Sequence, residues 1–112
     1  MKLAPKEALE LWRGVMAAAL RREHPDLTAR QFALLLHVYL MPPPHTVRGL
    51  ARELNMSKPA VVRARDRRGR RGFLRRRRDA ADPRTVLVQR TVKGSVFLRE
   101  FADLAAELAG RL

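Results

Sequence analysis

Between Lys58 and Arg78 the chain carries eleven lysines or arginines against a single acid, Asp66. Ten of its thirteen net positive charges fall within that one fifth of the sequence. The wider stretch from Ser57 to Arg84, SKPAVVRARDRRGRRGFLRRRRDAADPR, reads as a helix, a glycine stop, a basic strand and a tight acidic turn containing proline. Charge of one sign at this density points to a polyanion as partner. The rest of the chain has to supply the scaffold that presents it.

Composition narrows the class. With 112 residues, 46% of them hydrophobic, the expectation is one folded domain over 1–112 rather than a basic disordered tail. A balance of 24 basic to 11 acidic residues, with a pI of about 11.7, fits nucleic acid better than a small neutral substrate. A membrane fits less well, because no apolar run approaches the ~20 residues that a span needs. The chain has no cysteine, which excludes disulfides, zinc–thiolate sites and thiol redox sensing and is compatible with a cytoplasmic location. Glu7 and Glu10 interrupt the amino terminus where a secretory signal would be apolar, so this segment is expected to belong to the mature fold.

Periodicity supplies the elements. Pro5 suits a first helical turn, and Leu9, Trp12, Met16, Ala19 and Leu20 recur at spacings of three and four, one face of a helix ending near Arg22. His24-Pro25-Asp26 breaks it. Thr28 stands three residues before Gln31, a capping-box pattern, and Phe32, Leu35, Leu36, Tyr39 and Leu40 predict a second, extensively buried helix. Met41-Pro42-Pro43-Pro44 stops it and forces an extended connection with room for a very short strand. Thr46 can cap a third helix with Val47, Leu50, Ala51 and Leu54 on one face and Arg48 and Arg52 outward. After the turn at Asn55-Met56, Ser57 caps a fourth helix with Pro59 in its first turn and Gly72 just past its end.

Two helices joined by so short a turn, the second richly basic, form the pattern of a helix-turn-helix unit with the second as recognition helix. Phe73 to Arg78 and Thr85 to Val88 flank a turn built on Asp79, Asp82 and Pro83, a hairpin that would form a wing. Thr91 caps a last helix in which Phe97, Phe101, Leu104 and Leu108 share a face, with Leu112 a further turn along. The first and last helices carry large apolar residues outside this unit. They are expected to pack together and against the same helices of a second copy, giving a symmetric dimer.

In order and spacing these segments resemble the MarR family of winged helix-turn-helix transcription regulators. The resemblance runs from about Leu27 to Leu98 and is carried by LTARQFALL, TVRGLARELNMSKPAVVRARDRRGRRGFL, RRRRDAADPRTVLV and TVKG, with Asp79, Asp82 and Arg84 matching the family's Asp-x-x-Asp-x-Arg wing turn. It implies a mainly α fold with a small β-hairpin: residues 28–90 form the DNA-binding unit, and 1–24 and 92–112 the dimerisation helices. It also implies a homodimer on a pseudo-palindromic double-stranded DNA, usually as a repressor and sometimes relieved by a small molecule. Half-sites would lie about 34 to 36 Å apart.

Within that frame Ser57 and Lys58 stand where a helix N-terminus meets phosphate. With Val61 inward, Ala60, Val62 and Arg63 face outward, and Arg63 is the candidate for a guanine edge. Arg67 is assigned to phosphate. Arg76 and Arg78 are taken as the DNA-facing half of the basic strand, and Arg84 either enters the minor groove or only ties down Asp79 or Asp82.

The chain departs from the family pattern at Arg65 and Arg68, where leucine is usual, and at Arg90, where leucine is frequent. Positions 65 and 68 share the face of Val61, so two guanidinium groups are aimed at the core. They either snorkel, pair with an acid such as Glu53, Asp79 or Asp82, face a partner, or loosen the domain. The family also tends to continue past the last helix. A shorter tail implies less dimer surface and a reduced ligand crevice, leaving an effector unsupported.

No other chemistry is indicated. His24, His37 and His45 lack metal-ligand spacing, Asp79 and Asp82 beside four arginines suit turn capping, and Gly69 to Gly72 lacks the phosphate-loop pattern. Neither an enzyme nor a bound metal or cofactor is expected. Two rivals to a sequence-specific regulator are a basic module binding nucleic acid by charge alone and a protein-interaction adaptor with impaired DNA binding.

Overall fold

Capping residues set the helix boundaries. In the computed structural model, which describes residues 2–66 and 72–112, helix α1 spans Pro5–Arg21, α2 Ala29–Leu40, α3 Val47–Glu53, α4 Lys58–Asp66 and α5 Val92–Ala109. Strands β1 (Leu74–Arg78) and β2 (Val86–Arg90) form an antiparallel hairpin. Thr28 Oγ1 accepts from the Gln31 N–H at 3.1 Å while Gln31 Oε1 accepts from the Thr28 N–H at 2.8 Å, a reciprocal pair that satisfies two free amides at the start of α2. Thr46, Ser57 and Thr91 cap α3, α4 and α5 through their hydroxyls. Helix α5 stops at Ala109, short of Leu112, because Gly110 disfavours helix. Among the described residues no helix is long and apolar enough to cross a membrane.

The chain divides into two compact units, Leu27–Val96 and Met1–Asp26 with Phe97–Leu112. The first has an apolar core of Leu34, Val38, Leu50, Ala51, Val61 and Val88, one or two residues from each of α2, α3, α4 and β2. Tyr39, Val47, Leu54, Met56, Ala64 and Leu74 pack around it. The extended linker after α2 pairs with the hairpin through a bridge between Thr46 and Leu87 and a 2.8 Å bond from the Val88 N–H to the His45 carbonyl, which is the short strand anticipated there.

In the second unit α1 meets the later turns of α5. Val15, Ala18, Phe97 and Leu104 are buried, and Gly14 lies against Leu108, where an added Cβ would stand 3.4 Å from the leucine methyl. The residues buried on α1 are not those of the expected apolar stripe. Leu9, Trp12, Met16 and Leu20 are exposed by 72, 67, 51 and 72%. Val15 and Ala18 sit one step round the helix from that stripe, and their small side chains let α5 approach while the bulky ones are left facing outward.

Candidate nucleic-acid interface

Helix α3, the turn and α4 make a helix-turn-helix through local backbone chemistry. Asn55 takes φ 51°, a left-handed conformation asparagine tolerates, and the Met56 N–H returns to the Ala51 carbonyl at 2.8 Å. The four residues Leu54 to Ser57 thereby redirect the chain into α4. Val61 is fully buried, and this orients the rest of the helix: Ser57, Lys58, Val62 and Arg63 are exposed. The first turn of α4 has no acid, so its free N–H groups face solvent beside Lys58 without a competing carboxylate. Ala60 differs from the outward expectation. It is half-buried, because it lines a cleft of about 430 Å³ between α4 and the start of α2.

The register of the hairpin sorts the four strand arginines. Arg76 pairs with Val88 and Arg78 with Val86, while Arg75 pairs with Gln89 and Arg77 with Leu87. Cross-strand partners share a face, so Arg76 and Arg78 continue the face that carries the buried Val88, beyond the edge of the core, and Arg75 and Arg77 lie on the opposite face. All four are exposed. Arg78 is partly engaged, its Nη1 donating to the Pro83 carbonyl at 2.8 Å.

In the turn, Asp79 accepts from the Ala81 N–H, and Asp82 accepts from the Arg84 N–H and the Thr85 hydroxyl. Arg84 Nε lies 3.6 Å from Asp82 Oδ1, but the arginine side chain is 94% exposed, so the pair contributes little and leaves the guanidinium accessible. Arg67 and Arg68 lie outside the described residues.

The base of the wing is pinned. The Tyr39 hydroxyl lies 2.8 and 2.9 Å from the carbonyls of Phe73 and Thr91 and accepts from the Thr91 N–H at 2.9 Å. The Thr91 hydroxyl donates to the Gly72 carbonyl and accepts from the Gly94 N–H. Gly94 is buried, and a Cβ there would collide with the Tyr39 hydroxyl and the Phe73 carbonyl. One tyrosine on α2 thus ties the start of β1, the end of β2 and the first turn of α5 together.

The MarR family model matches residues 26–85, over half of the chain. The chain belongs to the MarR family. Among solved structures it is similar to the transcriptional regulator Tm0710 from Thermotoga maritima, at 22% identity and TM-score 0.76 over 95% of this chain and 72% of that one. It is similar to MepR of S. aureus in a MepR–DNA complex, at 20% identity and TM-score 0.74 over 90% and 80% of the two chains. It is also similar to the PcaV transcriptional regulator from Streptomyces coelicolor with its natural ligand, at 24% identity and TM-score 0.64 over 83% and 72%. These likenesses establish the winged helix-turn-helix fold. A search of curated proteins finds no significant match.

Two features of this MarR-family chain come from geometry rather than sequence pattern. Arg30, in the first turn of α2, lines the same cleft as Ser57, Asn55 and Arg63. A basic residue beside the Thr28 cap was the only signal for it, and its proximity to α4 depends on how two distant segments pack. Arg90, at a position where the family frequently has leucine, donates from Nε to the Val38 carbonyl at 3.0 Å and from Nη2 to the Met41 carbonyl at 3.2 Å. It therefore caps the C-terminal end of α2, where a cation is favoured, and stands 5.8 Å from the Tyr39 ring centroid. Arg65 is half-buried on the inward face of α4, beside Leu35, Phe73 and Leu74.

Proposed function

We propose that the chain is a homodimeric transcription regulator that binds double-stranded DNA in a sequence-specific manner and acts as a repressor. The observation that carries this reading is the outward edge of α4: Ser57, Lys58, Val62 and Arg63 are exposed on a helix held by the buried Val61, with no acid in its first turn. A helix presented in this way fits the major groove, with Arg63 reading a base edge and Ser57, Lys58 and Arg67 meeting phosphates. Ala60 contributes close approach beside the α2 cleft. Arg76, Arg78 and Arg84 extend the positive surface onto the wing. The MepR–DNA structure, which shares the fold, supports duplex DNA as partner. The exposed stripe Leu9, Trp12, Met16 and Leu20 supports a second copy as the element that covers it.

The test is selection of bound sites from a random duplex pool, followed by affinity measurement across salt concentrations. The expected result is a two-fold symmetric motif with half-sites about 34 to 36 Å apart and binding at least ~10³ tighter than to random duplex. A steep salt dependence without any enriched motif would replace this reading with binding by charge alone.

A further inference from the structure

The two strands of the wing are not equally covered. Strand β2 has β1 along one side and the His45-Thr46 segment along the other, through the Thr46–Leu87 bridge and the 2.8 Å bond from the Val88 N–H to the His45 carbonyl. That bond also fixes the phase of the hairpin ladder. The Val88 N–H points away from β1, so Arg76–Val88 is a pair that exchanges no hydrogen bonds, and so is Arg78–Val86 two residues on. The backbone N–H and C=O groups of Arg76 and Arg78 therefore point out from the far edge of β1. Among the described residues nothing bonds to them.

An open edge of this kind is a template for a further strand, and its side chains decide which strand it accepts. Arg75, Arg76, Arg77 and Arg78 are all exposed, and among the described residues none is paired with an acid. A second copy of β1 would set arginine against arginine, which opposes pairing. Nucleic acid would meet the charge but has no alternating N–H and C=O groups to continue the ladder. An acidic chain in extended conformation meets both demands.

We propose that the free edge of β1 takes up an acidic peptide segment of a partner protein, added as an antiparallel strand. Its acids stand opposite Arg75 and Arg77, and the residues between them bond to the outward backbone groups of Arg76 and Arg78. Pairs at Arg75 and Arg77 exchange no hydrogen bonds with the new strand, which is where facing side chains come closest, with Cα atoms about 4.5 Å apart. These are also the two strand arginines on the face opposite the one given above to DNA. The inference does not rest on DNA binding, because the segment is detected without DNA.

The test is a titration of the ¹⁵N-labelled full chain with a blocked pentapeptide that alternates glutamate and valine, followed by amide shifts and hydrogen exchange. Saturable shifts are expected at the Arg76 and Arg78 amides at millimolar concentration, with exchange of those two amides slowed about tenfold at saturation. Replacing the glutamates by lysine should abolish the effect. N-methylation of the two valines, whose N–H groups face β1, should weaken binding at least about tenfold, whereas N-methylation of the central glutamate, whose N–H faces away, should leave it within about twofold. An Arg75→Gln, Arg77→Gln double variant is expected to bind about tenfold more weakly while its spectrum stays dispersed, and Arg13→Gln, on α1, to bind as the parent chain does. The proposal is overturned if those amides show no saturable shift, if the lysine or valine-methylated peptide binds as well as the original, or if the double variant keeps full affinity. Stronger protection of the same amides by an oligothymidylate would also overturn it, and would assign the edge to nucleic acid.

Discussion

The two units of the chain divide its chemistry almost completely. Leu27–Val96 holds seventeen basic and four acidic residues, whereas Met1–Asp26 and Phe97–Leu112 together hold seven of each. All thirteen net charges therefore belong to the unit that contains α4 and the hairpin. The neutral unit pairs charges along its helices, Lys6 with Glu10, Arg99 with Asp103 and Arg111 with Glu107, and exposes a stripe of large apolar side chains. The charged unit does the reverse, enclosing a closed apolar core under a surface of unbalanced arginine. Self-repulsion at that density opposes compaction and would be relieved by a polyanion, whereas the exposed apolar stripe would be relieved by another apolar surface. A single interface could not serve both, since charge at an apolar contact costs desolvation.

The contrast can be broken first where its largest effect lies. A Trp12→Glu, Met16→Glu double variant places two carboxylates on the exposed stripe without touching Val15 or Ala18. Sedimentation is expected to show a dimer for the parent chain and a monomer for the variant, and affinity for a two-half-site duplex should fall by about 10² to 10⁴ as the avidity of the second half-site is lost. Unchanged helicity by circular dichroism would show that α1 remains. A variant that stays dimeric would assign the stripe to another contact.

Next in size is the pinned base of the wing. Gly94→Ala should destabilise the chain by about 1–3 kcal/mol, because the new methyl meets a backbone carbonyl as well as the Tyr39 hydroxyl. Tyr39→Phe should cost about 1–3 kcal/mol, since it leaves the part-buried bonds to Phe73 and Thr91 unmade. Combined, the two should cost less than their sum, because the hydroxyl that the methyl collides with is gone. Strict additivity in urea denaturation would show that the collision is with the carbonyl alone.

This part of the molecule also shows where sequence reading succeeds. Thr28, Thr46, Ser57 and Thr91 cap four helices through contacts three residues away, and local chemistry of that range is written directly in the chain. The hairpin register follows from Asp79 to Arg84 for the same reason. Tyr39 was legible as an apolar position on α2, yet its hydroxyl reaches groups 34 and 52 residues away, which no local pattern encodes. Arg30 and Arg90 were hidden by the same distance. The α1 stripe marks a different limit: its periodicity was real, but spacing alone cannot distinguish a face that packs within the chain from one that does not.

Within the charged unit, Arg63 and Arg30 should separate specificity from affinity. Arg63→Gln is expected to cost about 1–3 kcal/mol on the preferred site and to relax preference at one base pair in each half-site. Arg30→Gln should weaken every duplex alike and reduce the salt slope by about one per protomer. If Arg30→Gln instead altered base preference, the cleft beside α4 would be part of the reading edge rather than a backbone contact.

The smallest effect concerns two arginines at positions where the family favours leucine. Arg90 donates to two carbonyls at the end of α2, so Arg90→Leu removes a cap and should cost about 0.5–1.5 kcal/mol. Arg65 points the other way. It is half-buried among Leu27, Leu35, Phe73 and Leu74, at a small open pocket of about 30 Å³. Replacing a partly desolvated guanidinium by leucine exchanges a solvation cost for apolar contact, about 1 kcal/mol for a half-covered side chain, and should raise the thermal midpoint by a few degrees. DNA affinity should not change, because the residue faces away from the edge that Arg63 occupies. A lower midpoint in Arg65→Leu would mean that the contacts of its guanidinium outweigh the solvation it gives up. Opposite signs for the two variants would show that one arginine has become a structural element of this chain while the other is only accommodated.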